Sequence, residues 1–265
     1  MKKIIVFLLV GLILSAANAA WEITYPSGYR INGGKVFYTY MELSGIDILT
    51  FEILNEKYAK DKNFVYFEGK VIENLKPGEF TIMGDFFGKS KDKVYIGNKI
   101  IKEADISTFT PLEHSLSKDK QHVFFGDKIL DGSDPVTFRV FNNKYSKDKN
   151  YVYFWGEKVA GADALTFEIL NEEYGKDKNR VYYNKRVVEK ADPVTFQTLD
   201  RLYSKDKKHV YIMGEILEKA DVKTFVVLGS YGYAKDKRYV YHYREILKGE
   251  NPANFVPPPE PVIMY

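Results

Sequence analysis

The sequence predicts an all-β protein assembled from tandem repeats of about 29 residues. Three observations carry this prediction. Phe51, Phe80, Phe109, Phe138, Phe167, Phe196 and Phe225 recur at one constant interval of 29, and Phe255 follows one residue late. The stretch "YSKDKNYVYF" at 145 returns in variant form at 58, 174, 203 and 233. Composition agrees: 21 Tyr and 18 Phe in 265 residues suit pleated, half-buried surfaces.

The chain begins with a segment of another class. Lys2 and Lys3 precede an apolar run from Ile4 to Leu14, and Ala17-Asn18-Ala19 supplies a small-residue cleavage pattern. This predicts a signal peptide over residues 1–19, because the run is too short to span ~30 Å of hydrocarbon. Residues 20–46 read as a degenerate N-terminal cap repeat and 47–255 as the tandem repeats. Residues 256–265, with four Pro, read as an extended tail.

Within the repeat, an Asp stands four residues before most of the Phe marks, at 47, 105, 134, 163, 192 and 221; Lys76 and Asn251 are the exceptions. These Asp are expected to cap exposed backbone N–H groups of a turn. The Phe then opens a short extended segment such as "TFEIL". After the K-D-K loop, "VYF" or "VYY", a Gly-containing pair and "KVI" or "EIL" spell a hairpin. Three short strands per unit are therefore expected. The second unit is irregular, with 12 residues from Phe80 to the Asp of its K-D-K at 92 where 10 is usual. Read with Asp92 as the loop residue, two residues have moved across the loop.

A unit this short cannot close a core alone, so units must stack. An open solenoid of antiparallel hairpins is the expected architecture. A propeller-like ring is the alternative, although a blade usually takes about 40 residues or more.

Bulk numbers exclude several function classes. Removing the leader takes away two of 39 basic residues and leaves 37 against 36 acidic ones, so a strongly basic nucleic-acid partner is not expected. With no Cys, there is no disulfide, no Cys-based metal site and no Cys nucleophile. The four His, at 114, 122, 209 and 242, show no ligand spacing, and no phosphate or dinucleotide fingerprint occurs.

"DKNYVYF" at 148, "DKNFVYF" at 61 and "DKNRVYY" at 177 resemble the DKNYY family of bacterial repeat proteins over roughly residues 36 to 255. The family carries no assigned catalytic residues, so the resemblance implies a repeat architecture and no activity.

Function is then expected to use the stack. If the loops align, Lys60, Lys62, Lys118, Lys120, Lys147 and Lys149 would line one edge, continued by Lys176, Lys178, Lys205, Lys207, Lys235 and Lys237. Tyr58, Tyr145, Tyr174, Tyr203 and Tyr233 would flank that row. Lys and aromatic faces together suit an envelope glycan or anionic polymer. The expected role is a non-enzymatic binding or scaffold module, exported to the periplasm or cell surface, with no cofactor. A protein partner and self-assembly are further options. From another class, an envelope hydrolase would place its site in an irregular unit, around Gly84-Asp85-Phe86-Phe87.

Overall fold

The computed structural model describes residues 23–24, 28–229 and 231–259. The predicted signal peptide and the last six residues of the Pro-rich tail lie outside them. Among the described residues, the chain forms eight four-stranded antiparallel sheets, each with its strands in chain order. No sheet closes on itself into a barrel. One 3-10 turn, Pro77–Glu79, is the other regular element described.

The chain divides into two compact units, one of Met1–Lys120 with Gly126–Ile129, the other of Gln121–Phe125 with Leu130–Tyr265. Three whole sheets lie in the first unit, spanning residues 23–43, 52–71 and 81–100, and four in the second, spanning 139–158, 168–187, 197–216 and 226–246. The division falls within the sheet that spans 110–129.

Residues 139–158 show the plan. The strands are Arg139–Val140, Tyr145–Lys147, Val152–Phe154 and Glu157–Lys158. Four strands per repeat replace the three expected. The additional one is Tyr-x-Lys, which the sequence suggested was part of the K-D-K loop. Its register fixes the loop: Tyr145 pairs with Phe154, Ser146 with Tyr153 and Lys147 with Val152, so only Asp148–Tyr151 turn. The hairpin after Phe154 puts Trp155 and Gly156 both at positive φ, 50° and 70°, as a type I′ turn requires. Glycine also fits because a Cβ at 156 would lie 2.5 Å from the Phe125 ring.

Both faces of an interior sheet are used within a unit. In "VYF" the Val and the Tyr point to opposite faces, yet Val152 and Tyr153 are both buried, because neighbouring repeats cover the sheet on two sides. The periodic Phe is the spacer. Phe167 lies between Tyr145 of the preceding sheet and Tyr182 of its own, at 5.8 and 5.7 Å between ring centroids. Phe196 sits likewise between Tyr174 and Tyr211, and Phe225 between Tyr203 and Tyr241. Tilted rings at this separation add to the gain from burial alone. The ring rests on the middle residue of its own second strand, which must be small. A Cβ at Gly88 would lie 2.2 Å from Phe80, and one at Gly175 2.2 Å from Phe167.

The second repeat corrects the register read from sequence. Lys89 ends the second strand and Val94 begins the third, so Ser90, buried, occupies the seat that Asp61 holds one repeat earlier. The Ser90 N–H reaches the Lys93 carbonyl as the Asp61 N–H reaches that of Phe64. Nothing has moved across the loop; the K-D-K at 91–93 is out of step with the others, and Asp92 is exposed.

Candidate functional site

The ridge formed by the Asp-x-x-x-Phe turn and the K-D-K loop is where the sequence places its candidate ligand row. At its root lies the loop Asp, nearly buried in six repeats as Asp61, Asp119, Asp148, Asp177, Asp206 and Asp236. One oxygen of Asp177 accepts the N–H groups of Asn179 and Arg180 at 2.7 and 2.8 Å, closing the turn. The other accepts the N–H of Asp163 at 3.0 Å and the hydroxyl of Tyr182 at 2.8 Å. Asp61, Asp206 and Asp236 repeat all four bonds. Burial acts to raise the pKa of these carboxyls, but the hydrogen bonds outweigh it and hold Asp61, Asp177, Asp206 and Asp236 below the usual carboxylate range. Their tyrosine partners move up, by burial first and the carboxylate second, Tyr182 to about 12. In these four repeats the loop Asp is thus an ionised structural hub inside the repeat, not part of a solvated charged turn.

The capping Asp does what its position predicts. Asp134 accepts the Thr137 N–H at 2.9 Å, and the Thr137 hydroxyl accepts the Lys149 N–H at 3.1 Å, which ties turn to loop. In six repeats the second Lys of the loop pairs with this Asp: Lys120 with Asp105, Lys178 with Asp163 and Lys207 with Asp192, at 2.7 to 2.9 Å. Lys62 with Asp47, Lys149 with Asp134 and Lys237 with Asp221 complete the set. The Lys149 and Lys237 ammonium groups are the largest cause that pulls Asp134 and Asp221 down to about 2. These lysines stay more than half exposed, yet each is matched by a carboxylate.

The first Lys of each loop is half-buried and structural. Lys147 donates to the Ala164 and Phe167 carbonyls of the next repeat, Lys176 to Pro193 and Lys235 to Pro252. Lys60 lies 3.4 Å from Glu52. Lys118 and Lys205 hold the same strand position and are half-buried too.

The tyrosines do not flank the row with open faces. Tyr58, Tyr145, Tyr174 and Tyr203 are fully buried and Tyr233 is half-buried. Their hydroxyls bond across repeats: Tyr58 donates to the Phe86 and Gly97 carbonyls, Tyr145 to Glu173 and Asn184, Tyr203 to Gly232 and Tyr243. Tyr174 instead accepts from the Gly214 N–H and the Ser204 hydroxyl. A buried ring needs a partner for its hydroxyl, and these backbone groups supply it.

In their place the ridge displays aliphatic side chains that composition and motif gave no reason to select. Two residues after the capping Asp stand Leu49, Val136, Leu165 and Val194, each at least 75% exposed. The signal was available in the sequence as an apolar residue recurring at the tip of a turn. In the second unit, Val194 and Pro193 wall a groove of about 320 Å³ against Thr166, Glu168, Lys176 and Lys178 of the preceding repeat.

The residues around Gly84-Asp85-Phe86-Phe87 in the irregular repeat serve packing and backbone hydrogen bonding. Phe87 is buried, the Gly84 and Asp85 carbonyls accept from the Asn55 amide, and the Phe86 carbonyl accepts from Tyr58. Among the described residues there is no group of three or more His, Asp or Glu that could hold a metal ion. His209 contacts Tyr211 and His242 stacks on Tyr233.

Repeated four-stranded sheets locked by tyrosine hydroxyls and buried aspartates define a tandem-repeat β protein. The family model described as the DKNYY family matches three overlapping stretches, residues 29–155, 86–209 and 184–245. The chain belongs to the DKNYY family. No protein with a curated description and no solved structure matches it.

Proposed function

We propose that the protein is an exported, non-enzymatic interaction or scaffold module of the cell envelope that binds through its turn-and-loop ridge. The observation that carries this reading is the recurrence of one surface unit, an exposed aliphatic tip beside an ion-paired lysine, at successive repeats of the second unit. Val136 with Lys149, Leu165 with Lys178 and Val194 with Lys207 are its three copies. Repetition of this kind suits an extended ligand with its own repeat, such as an envelope glycan or anionic polymer. Because each lysine is already matched by a carboxylate, an anionic polymer has to displace Asp134, Asp163 or Asp192, and salt competes with it for the freed ammonium. The apolar tips supply contact area that salt does not weaken.

The test is co-sedimentation of the full chain with isolated envelope fractions at low and high salt. Salt-sensitive retention that disappears when Lys149, Lys178 and Lys207 become Gln supports the polymer reading. Retention that ignores salt and is lost when Val136, Leu165 and Val194 become Ser assigns the ridge to a protein partner. Absence of retention at both salts sinks the proposal.

A further inference from the structure

Among the described residues, the first and last sheets carry the two halves of the junction that is completed between neighbouring repeats elsewhere in each unit. At the far face of the last sheet, Tyr233 is the counterpart of Tyr58, Tyr145 and Tyr203. Its ring meets Phe255 at 5.8 Å, but its hydroxyl has no hydrogen-bond partner among the described residues. At the near face of the first sheet, Gly28 and Thr39 are the counterparts of Gly232 and Tyr243. The Thr39 N–H bonds to the Gly28 carbonyl as the Tyr243 N–H bonds to that of Gly232. No tyrosine hydroxyl among the described residues reaches either the Gly28 or the Thr39 carbonyl.

The aromatic spacers are complementary in the same way. Position 22, which is 29 residues ahead of Phe51, is Glu in the sequence where the following units have the spacer Phe. The last sheet carries Phe255 beyond it. Where each other second strand has Ala, Gly or Ser under the spacer ring, the first has Arg30, whose guanidinium lies 4.7 Å from the Phe37 centroid. The guanidinium gains a cation–π contact there, but the Arg30 Nε is buried without a hydrogen-bond partner. Arg30 thus fills the space of a missing Phe and does so poorly.

We infer that this face is a docking site for a second copy of the chain, joined head to tail. Tyr233 of one copy donates to Gly28 and Thr39 of the next, and Phe255 takes the seat that Arg30 plugs. Continuity with the internal junctions is the basis: the same donor, acceptors and spacer recur inside the molecule. The contact is heterologous, so it propagates to longer species unless it closes into a ring. Arg30 must swing out first, which keeps the association weak.

Sedimentation velocity of the full chain over a range of concentrations tests this. Arg30→Gly clears the seat and should tighten association at least tenfold, giving a series of species beyond the dimer. Tyr233→Phe should weaken association about tenfold, since it removes only a hydroxyl that bonds across the joint, and should leave Tm unchanged. An Arg30→Gly variant that stays monomeric throughout would overturn the proposal. So would a dimer that never extends, or an association indifferent to Tyr233→Phe.

Discussion

From Tyr145 to Ile216, each second strand opens with a tyrosine whose hydroxyl bonds into the next repeat, and each loop turns on a buried aspartate with several donors around it. From Thr81 to Ile129 the strand plan is the same but the chemistry differs. The tyrosine position holds Phe87 and then Leu116, both buried and neither with a hydroxyl to offer. The first of these repeats also puts Ser90 where the loop Asp belongs and Lys76 where the capping Asp belongs. The two changes go together: the capping residue's N–H donates to the loop carboxylate elsewhere, as Asp47 does to Asp61 at 2.9 Å. Apolar stacking is therefore enough to set the sheet, while the polar bonds determine how firmly one sheet holds the next. The boundary between the two compact units falls in this same stretch.

The sharpest test of that contrast is to remove the hub. Asp177→Ala leaves the N–H groups of Asp163, Asn179 and Arg180 without an acceptor and the Tyr182 hydroxyl with only the Gly161 carbonyl, which should cost about 3–5 kcal/mol in urea unfolding. Ser90→Ala at the equivalent seat should cost less than about 1 kcal/mol. Equal losses would break the distinction.

The tyrosine bond can be moved in both directions. Tyr145→Phe loses two carbonyl bonds and should destabilise by about 1–2 kcal/mol. Phe87→Tyr places a hydroxyl toward the Ser115 and Gly126 carbonyls, the Gly126 N–H already being bonded to that of Ser115, and should stabilise by about 1 kcal/mol. Failure of the second substitution to stabilise would mean that packing, not the missing hydroxyl, limits the irregular stretch.

Acid and base should separate the regions by hydrogen exchange. The loop carboxyls of Asp177 and Asp206 and the capping carboxyls of Asp134 and Asp221 have folded pKa values below the ordinary 3.8, so their contribution is complete above about pH 4 and fades as pH falls toward 2. Protection in the 168–216 sheets should drop over that window while the 81–100 sheet changes least. Tyr174 and Tyr182 are raised from 10.0 to about 12, so their contribution holds below pH 10 and is lost as pH climbs through 12. The smallest expected effect is at neutral pH, where the 81–100 sheet should exchange somewhat faster than its regular neighbours.

Much of this was legible in the residues. The constant Phe interval marks the spacer ring, and the Gly-containing pairs mark the hairpins, because both follow from local geometry. The Tyr-x-Lys strand was hidden by its charged neighbours, which read as loop; pairing with the third strand decides it. Ser90 was recoverable, since it stands 29 residues after Asp61, but the nearby K-D-K triplet masks it. The buried state of the loop Asp and of the row's tyrosines was not legible. Both depend on groups 14 to 40 residues away that approach only once repeats stack.

The reach of the tyrosine hydroxyls also sets an order of assembly. The longest of these bonds, Tyr203 to Tyr243, spans 40 residues, and the others are as short or shorter. Each sheet is therefore secured by chain made shortly before or after it, and the average loop to be closed does not grow with the number of repeats. Low contact order of this kind favours rapid, vectorial folding in which early sheets serve as the template for later ones. Adding or losing a whole unit would change the length of the protein without changing how it finds its fold.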